Sequence, residues 1–342
     1  MRNNKNKVKP LAISFGLIWL MIALQDGWGG DLESYRLIFE QLNGSPFQDA
    51  FSEDVYGEVG FKILMWFMPS IHAALMLSIG VWCFAVAFFF YHFVPQKWWF
   101  FAIIFVFIDR PILMGMTASI LRMSLANSFL IFAVFFMLKK ERIRAALLIL
   151  LGAFFHTSVL FFLPLIFVGH SQNRIKTPVL MGIFAAIAIV SMLFPSSWTD
   201  LVESLIRGAD SLNKYEVYLE DQSALEFKGL SLIILFYWVY LLADISNRKN
   251  LEGYEYLMIY FALIRIAFDL LPAVGMSVRF FYYIDLYFFA GMACVLNRSP
   301  RNDAHKMGLI LTLIIMFYYI GFHQFLSTSF YREHWATYNL YF

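Results

Sequence analysis

The chain has 342 residues, of which 61% are apolar and only 15% are charged, against roughly 25% in an average soluble domain. The mean hydropathy is +0.66, and the apolar residues are gathered in long runs that favour a bilayer over water. This composition excludes cytosolic enzymes, secreted disulfide scaffolds and nucleic-acid-binding proteins. The two cysteines lie inside apolar runs and indicate neither a disulfide nor a metal pair.

The first apolar run, 11–24, follows four cations and resembles a signal peptide. No small-x-small cleavage site comes after it, so we expect an uncleaved first membrane span. Cations that flank a span stay on the cytoplasmic side, which places the N-terminus inside.

Further apolar runs follow at intervals along the chain and predict an all-α, polytopic integral membrane protein. They cover 71–94, 98–117, 118–138, 144–169, 178–195, 229–246, 254–272, 279–296 and 306–326. We expect one transmembrane domain over 1–342 with about eleven membrane segments (nine to eleven), some of them short or broken. The short segment 55–68 is expected in or near the outer interface.

Charge distribution sets the expected orientation of these segments. Two long polar stretches, 26–58 and 195–228, contain eight and seven acidic residues, whereas short basic loops join the other runs. If 144–169 crossed the membrane once, every later basic loop would face outside, against the positive-inside rule. A break near His156, with a return through Pro164, places the basic loops inside. It makes 26–58 the first extracytoplasmic loop and 195–228 a second, large one.

Charged groups within spans are costly and are often functional. The charged or titratable side chains inside the apolar runs are Asp109, Arg110, Arg122, His156, Arg265, Asp269, Arg279 and Asp285. Six of them lie toward the outer half in the expected topology, beside Asp31 and Glu58. We therefore expect one extracytoplasmic site.

Each of these residues also has a structural interpretation. Asp109 and Arg110 would cap a helix end, and Arg265 and Asp269 would form an i,i+4 ion pair within one helix, the role favoured for them. The arginines that open spans would extend toward the interface. His156 would pack as a core histidine, although its position at the expected break favours function.

Five short motifs occur in an order that resembles the EpsG family of exopolysaccharide polymerases. They are Gly30–Tyr35, Glu58–Phe61, Leu121–Ala126, Phe155–Leu160 and Val278–Tyr283. The resemblance covers most of the chain. It implies a glycosyltransferase of the Wzy-like type, which transfers a glycan from an undecaprenyl diphosphate carrier onto a lipid-linked repeat unit at the outer face of the bacterial cytoplasmic (inner) membrane. The product would be an O-antigen, a capsule or an exopolysaccharide.

The residue chemistry suits that reaction. Arginine forks bind diphosphate oxygens bidentately, and a base helps the attacking sugar hydroxyl. The expected catalytic residues are Arg122, His156, Arg279, Asp31 and Glu58, with the arginines on the diphosphate and the other three as alternative bases. The expected substrate contacts are Arg110, Tyr35, Ser158 and Tyr283. We expect no cofactor and no metal, although Asp31 and Glu58 could hold a divalent cation.

The expected partners are the undecaprenyl diphosphate-linked oligosaccharide, the lipid bilayer and a chain-length regulator protein, with no nucleic acid. Two other functions remain open at this point. One is a membrane acyltransferase of surface sugars, which typically carries an Arg–His pair near its first spans; that pair is absent here. The other is a lipid-linked glycan transporter or flippase, which usually shows internal repeats that we do not find.

Overall fold

A computed structural model describes residues 5–23, 32–108, 120–168, 176–193, 229–247, 251–270 and 275–298. Within these ranges the chain is helical and has no β-strand, which confirms the predicted all-α class. The chain divides into two compact units, one made of 1–99 and 111–172 and the other of 100–110 and 173–342.

Among the described residues, the first unit contains six longer helices and one short one. They are α1 (Lys5–Ala23), α2 (Leu32–Leu42), α3 (Val59–Phe67), α4 (Ile71–Phe93), α6 (Leu121–Leu138), α7 (Arg142–Ala153) and the four-residue α8 (Leu165–Val168). Only the first residue of α5 (Trp99–Ile108) belongs to this unit, and the rest of α5 belongs to the second. Three 3₁₀ helices, Phe47–Phe51, Gln96–Trp98 and Thr157–Phe162, complete the described part of the first unit.

Helix α4 forms the centre of the first unit because it packs against both α1 and α6. Its start is fixed by Ser70, whose hydroxyl accepts the Ala73 N–H at 3.1 Å in an N-cap. Trp19 of α1 donates from its indole N–H to the Met76 carbonyl at 2.9 Å, which ties α1 to the first turns of α4.

Helices α4 and α6 are the two in the described part of the chain that are long and apolar enough to cross a membrane. Shorter apolar helical stretches cover Leu11–Leu20 and Thr177–Ile189. The predicted runs 71–94 and 118–138 therefore correspond to helices. The total of about eleven segments stays a prediction, as do the two extracytoplasmic loops. Residues 194–228 and the predicted last span, 306–326, lie outside the described residues.

The predicted break in 144–169 is present as an interruption of helix. Helix α7 ends at Ala153, the backbone turns, and the 3₁₀ helix Thr157–Phe162 leads to Pro164 and α8. Both the 3₁₀ helix and α8 contact α7, so the chain folds back along the helix it has just left. The orientation of the two ends relative to the membrane stays a prediction.

The second unit is built from α9 (Thr177–Leu193), α10 (Gly229–Ser246), α11 (Gly253–Leu270) and α12 (Gly275–Arg298), together with most of α5. Helices α11 and α12 share its most extensive helix–helix contact. Gly291 allows this approach, because a Cβ there would lie 2.5 Å from the Met258 carbonyl oxygen. The rings of Phe261 and Tyr287 stack 4.3 Å apart in the same contact.

Two ion pairs also join α11 to α12. Arg265 pairs with the buried Asp285 on the next helix. Its expected i,i+4 pairing with Asp269 stays a prediction. The Asp269 side chain lies outside the described residues. Arg298 donates to both oxygens of the buried Glu255, at 2.8 and 2.7 Å. These arginines therefore have a structural function in helix packing, which agrees with the role favoured for Arg265.

Candidate functional site

The candidate site lies in the first unit and begins with the loop that precedes α3. Gly57 adopts φ +114°, a left-handed conformation that favours glycine, and the turn there delivers Glu58 to the start of the helix. Glu58 occupies the N-cap position of α3 without capping it through its side chain. Its carboxylate is therefore directed to a partner outside its own helix.

That partner is Arg122, in the first turn of α6. One terminal nitrogen of Arg122, Nη1, donates to Glu58 Oε2 at 2.7 Å, and the other, Nη2, donates to the Tyr56 hydroxyl at 3.1 Å. The guanidinium carbon lies 4.8 Å from the centre of the Tyr56 ring, within cation–π distance. The side chains of Arg122 and Glu58 are 16% and 19% exposed, so the pair is accessible from outside the fold.

Tyr35 lies close to this pair. It is buried on α2, and its ring packs 5.1 Å from that of Phe61. The structure thus brings together three residues expected from separate motifs: Tyr35, Glu58 and Arg122. Tyr56 joins them and was not predicted. Its position two residues before Glu58, in a loop that turns at a glycine, is the only sequence signal that would have indicated it.

Lys62 is a second residue that the sequence analysis missed. It is 3% exposed, and its ammonium group donates to the carbonyls of Ser52 at 2.6 Å and Val55 at 3.3 Å. A buried charge of this kind needs such partners. Lys62 therefore holds the loop that carries Tyr56 and Glu58 against α3.

A backbone contact links this loop to the broken helix. The Gly60 N–H donates to the Phe154 carbonyl at 2.8 Å, just after the end of α7. A Cβ on Gly60 would lie 2.7 Å from that oxygen, so a side chain would force the two segments apart. Glu58 and His156 each lie two residues from this contact, which links their positions through backbone.

His156 is the N-cap of the 3₁₀ helix that follows the break. Its Nδ1 accepts the Ser158 backbone N–H at 3.3 Å and lies 2.6 Å from Ser158 Oγ. The hydroxyl both donates and accepts, so it suits either ring tautomer. Where Nδ1 carries the hydrogen and donates to Oγ, Nε2 holds the lone pair that a base requires. Where Nδ1 accepts, Nε2 carries the hydrogen.

The remaining expected residues lie outside the described residues or in the second unit. Asp31 and Arg110 lie outside the described residues, and so does the side chain of Arg279 on α12. Tyr283 lies on α12 in the second unit and is only 1% exposed. The roles expected for these four residues, like those of the others, stay predictions.

Metal binding was the open alternative for Glu58. Within the described ranges no three His, Cys, Asp or Glu side chains lie close enough to hold a metal ion together. Glu58 has the Arg122 guanidinium as its partner.

A family model described as the EpsG family matches residues 9–340. The chain belongs to the EpsG family. The resemblance predicted from the five motifs is therefore confirmed. EpsG membership, with the long apolar helices α4 and α6, supports a membrane protein of the polysaccharide-polymerase type. No curated protein and no solved structure is significantly similar to it.

Proposed function

We propose that this EpsG-family protein is a glycosyltransferase that lengthens a surface polysaccharide at the extracytoplasmic face of the bacterial cytoplasmic membrane. The donor is a growing glycan on undecaprenyl diphosphate, and the acceptor is a lipid-linked repeat unit. The observation that carries the proposal is the Arg122 site: a partly exposed guanidinium held by Glu58 and Tyr56, with His156 linked to it through the Gly60–Phe154 contact.

The reaction is a substitution at the sugar carbon that bears the diphosphate. The acceptor hydroxyl oxygen forms a bond to that carbon, and the carbon–oxygen bond to the diphosphate breaks. The carrier diphosphate leaves with the bonding electrons, and the hydroxyl proton passes to a base. Negative charge builds on the diphosphate, where arginine donors stabilise it most.

Arg122 is suited to receive that charge. A guanidinium has five N–H donors, and Glu58 and Tyr56 each accept from one terminal nitrogen. Their contacts fix the plane of the fork, and further N–H groups remain for diphosphate oxygens. A fixed fork loses less side-chain entropy when it binds than a flexible lysine would.

His156 is the base in this proposal. A histidine side chain with an unperturbed pKa of about 6.5 is an effective proton acceptor near neutral pH. The base is the tautomer with hydrogen on Nδ1, which gives up the Ser158 N–H contact. In that tautomer Ser158 Oγ, 2.6 Å from Nδ1, accepts the Nδ1 hydrogen and orients the ring, and Nε2 then takes the proton. Glu58 is the weaker candidate because its carboxylate already accepts from Arg122. The role expected for Arg279 from its sequence motif stays a prediction, and Asp31 remains an alternative base.

A reconstituted assay tests the proposal. Purified full-length protein in proteoliposomes would receive undecaprenyl diphosphate-linked repeat units from cells that lack it and accumulate them. We expect a ladder of lengthened lipid-linked glycans, and little of it with Arg122→Lys. Transfer of repeat units across the bilayer without lengthening would indicate a flippase, and a mass gain of one acyl group would indicate an acyltransferase. Either result would overturn the proposal.

A further inference from the structure

The first unit carries a cluster of aromatic rings in the segments on either side of Tyr56 and Glu58. Phe47 and Phe51 come from the first 3₁₀ helix, and Trp66 and Phe67 from the end of α3. We call these four residues the aromatic tip. Phe47 lies 5.3 Å from Phe51, 5.0 Å from Trp66 and 6.2 Å from Phe67 between ring centres, all edge to face.

The tip is ordered by its own contacts and yet remains exposed. Phe47, Phe51 and Phe67 are 42%, 53% and 64% exposed. Trp66 donates from its indole N–H to the Ser45 carbonyl at 2.9 Å, so its polar group is satisfied within the protein. Adjacent exposed rings of this kind usually mark a surface that meets a partner.

The position of the tip in the chain indicates which partner. Only Met68, Pro69 and Ser70 separate Phe67 from the first residue of α4, so the Cα atoms of Phe67 and Ile71 lie at most about 14 Å apart. Helix α4 exposes Leu77 and Phe84, seven residues apart and therefore on one face, as a lipid-facing helix does. A tip so close to the start of a span lies near the level of the lipid headgroups.

We propose that the aromatic tip inserts into the headgroup region of the outer leaflet and anchors the loop that carries Tyr56 and Glu58. Aromatic residues are enriched at that depth in membrane proteins. Asp49, Glu53 and Asp54 lie in the same stretch of chain. Because these acids would repel anionic lipids, the rings drive insertion, and attraction to lipid charge does not. The proposal needs α4 to span the bilayer with its first residue at the outer face, and it does not depend on glycan transfer.

Depth measurements with a nitroxide label test this anchor. The full-length protein, with Cys83→Ala and Cys294→Ala, would carry one cysteine at a time in phosphatidylethanolamine–phosphatidylglycerol nanodiscs. Phe51→Cys and Phe67→Cys report from the tip, and Gln48→Cys reports beside it with all four rings intact. Exposed Glu40→Cys on α2 is the water reference, and Leu77→Cys on α4 is the lipid reference.

The readout is the ratio of collisions with oxygen, which enters lipid, to collisions with a water-soluble nickel chelate. We expect the ratio at the tip to exceed that at residue 40 several-fold, to approach that at residue 77, and not to increase with the phosphatidylglycerol fraction. A ratio equal to that at residue 40 would place the tip in water. Shielding from both reagents would mean that protein covers it, such as a second copy. Either outcome overturns the proposal.

Discussion

Each unit of the protein holds an arginine against a carboxylate, but in different surroundings. Arg122 begins a helix and meets Glu58 from a loop, and their side chains are 16% and 19% exposed. Arg265 lies within α11 and meets Asp285 within α12, with side chains 10% and 4% exposed. A loop partner can shift when a ligand arrives, whereas a partner on a packed helix moves only with the helix. The comparison separates an arginine suited to chemistry from one suited to assembly.

The largest effect is expected at the helix–helix pair. Asp285→Ala removes the buried carboxylate that Arg265 contacts, and breaking a buried pair from one side costs about 3–5 kcal/mol in comparable cases. We expect a marked fall in the thermal unfolding midpoint of the detergent-solubilised protein.

The double variant Arg265→Leu/Asp285→Leu is the matched control, because it removes both charges at once. It should recover most of the lost stability. A single variant as stable as the unmodified protein would show that this pair does not hold α11 to α12.

The next largest effect is expected at Arg122. Arg122→Lys keeps the charge and loses the planar fork, so we expect polymer formation to fall about 10²–10³-fold, as for the loss of an oxyanion donor. The thermal unfolding midpoint should change little.

The control for this change is Arg36→Lys, at an exposed arginine 3.8 Å from Glu33 on α2. It should leave both stability and polymer length unchanged. Normal-length polymer from Arg122→Lys would show that Arg122, like Arg265, has only a structural role.

His156 should show a loss at the lower end of the range for a positioned base. His156→Gln keeps a hydrogen-bonding side chain but cannot accept a proton at neutral pH, so we expect about a 10²-fold loss of chain extension. Protein levels in the membrane should stay normal. Near-normal polymer would instead assign the histidine to holding the 3₁₀ helix, and would move the base role to Asp31 or Glu58.

The smallest effect is expected at Gly60. The added methyl group of Gly60→Ala would meet the Phe154 carbonyl at 2.7 Å, and overpacking of this kind costs about 1–3 kcal/mol. We expect lower stability together with reduced polymer formation, because the contact links Glu58 to His156. Gly182→Ala on α9, where nothing lies within 4 Å, should be neutral or slightly stabilising. If the two variants have equal stability and form equal amounts of polymer, Gly60 has no role in the site.

The helices were predictable where an apolar run is bounded by polar or turn-forming residues. The runs 229–246 and 71–94 correspond closely to α10 and α4. The interruption before His156 was predictable from charge distribution alone, because the loops on either side of 144–169 are both basic. These features depend on local composition, which a single sequence displays directly.

The contacts between elements were less predictable. The expected pairing of Arg265 within its own helix gave no indication of its contact with Asp285, which lies twenty residues away on the next helix. Tyr56 and Lys62 were missed for the same reason: their roles depend on how a loop folds against a helix. Motif order indicated that Glu58 and Arg122 share a site. The pattern of residues along the chain could not show that Arg122 Nη1 lies 2.7 Å from Glu58 Oε2.

The distance along the chain between Glu58 and Arg122 has a consequence for biosynthesis. The two residues are 64 positions apart, so at about 5–20 residues per second the ribosome makes Arg122 roughly 3–13 s after Glu58. During that interval the Glu58 loop exists without its guanidinium partner. Phe154, whose carbonyl accepts from Gly60, is made later still. The site is therefore completed only after α7 has been synthesised, and an insertion defect anywhere between α4 and α7 would leave it unassembled.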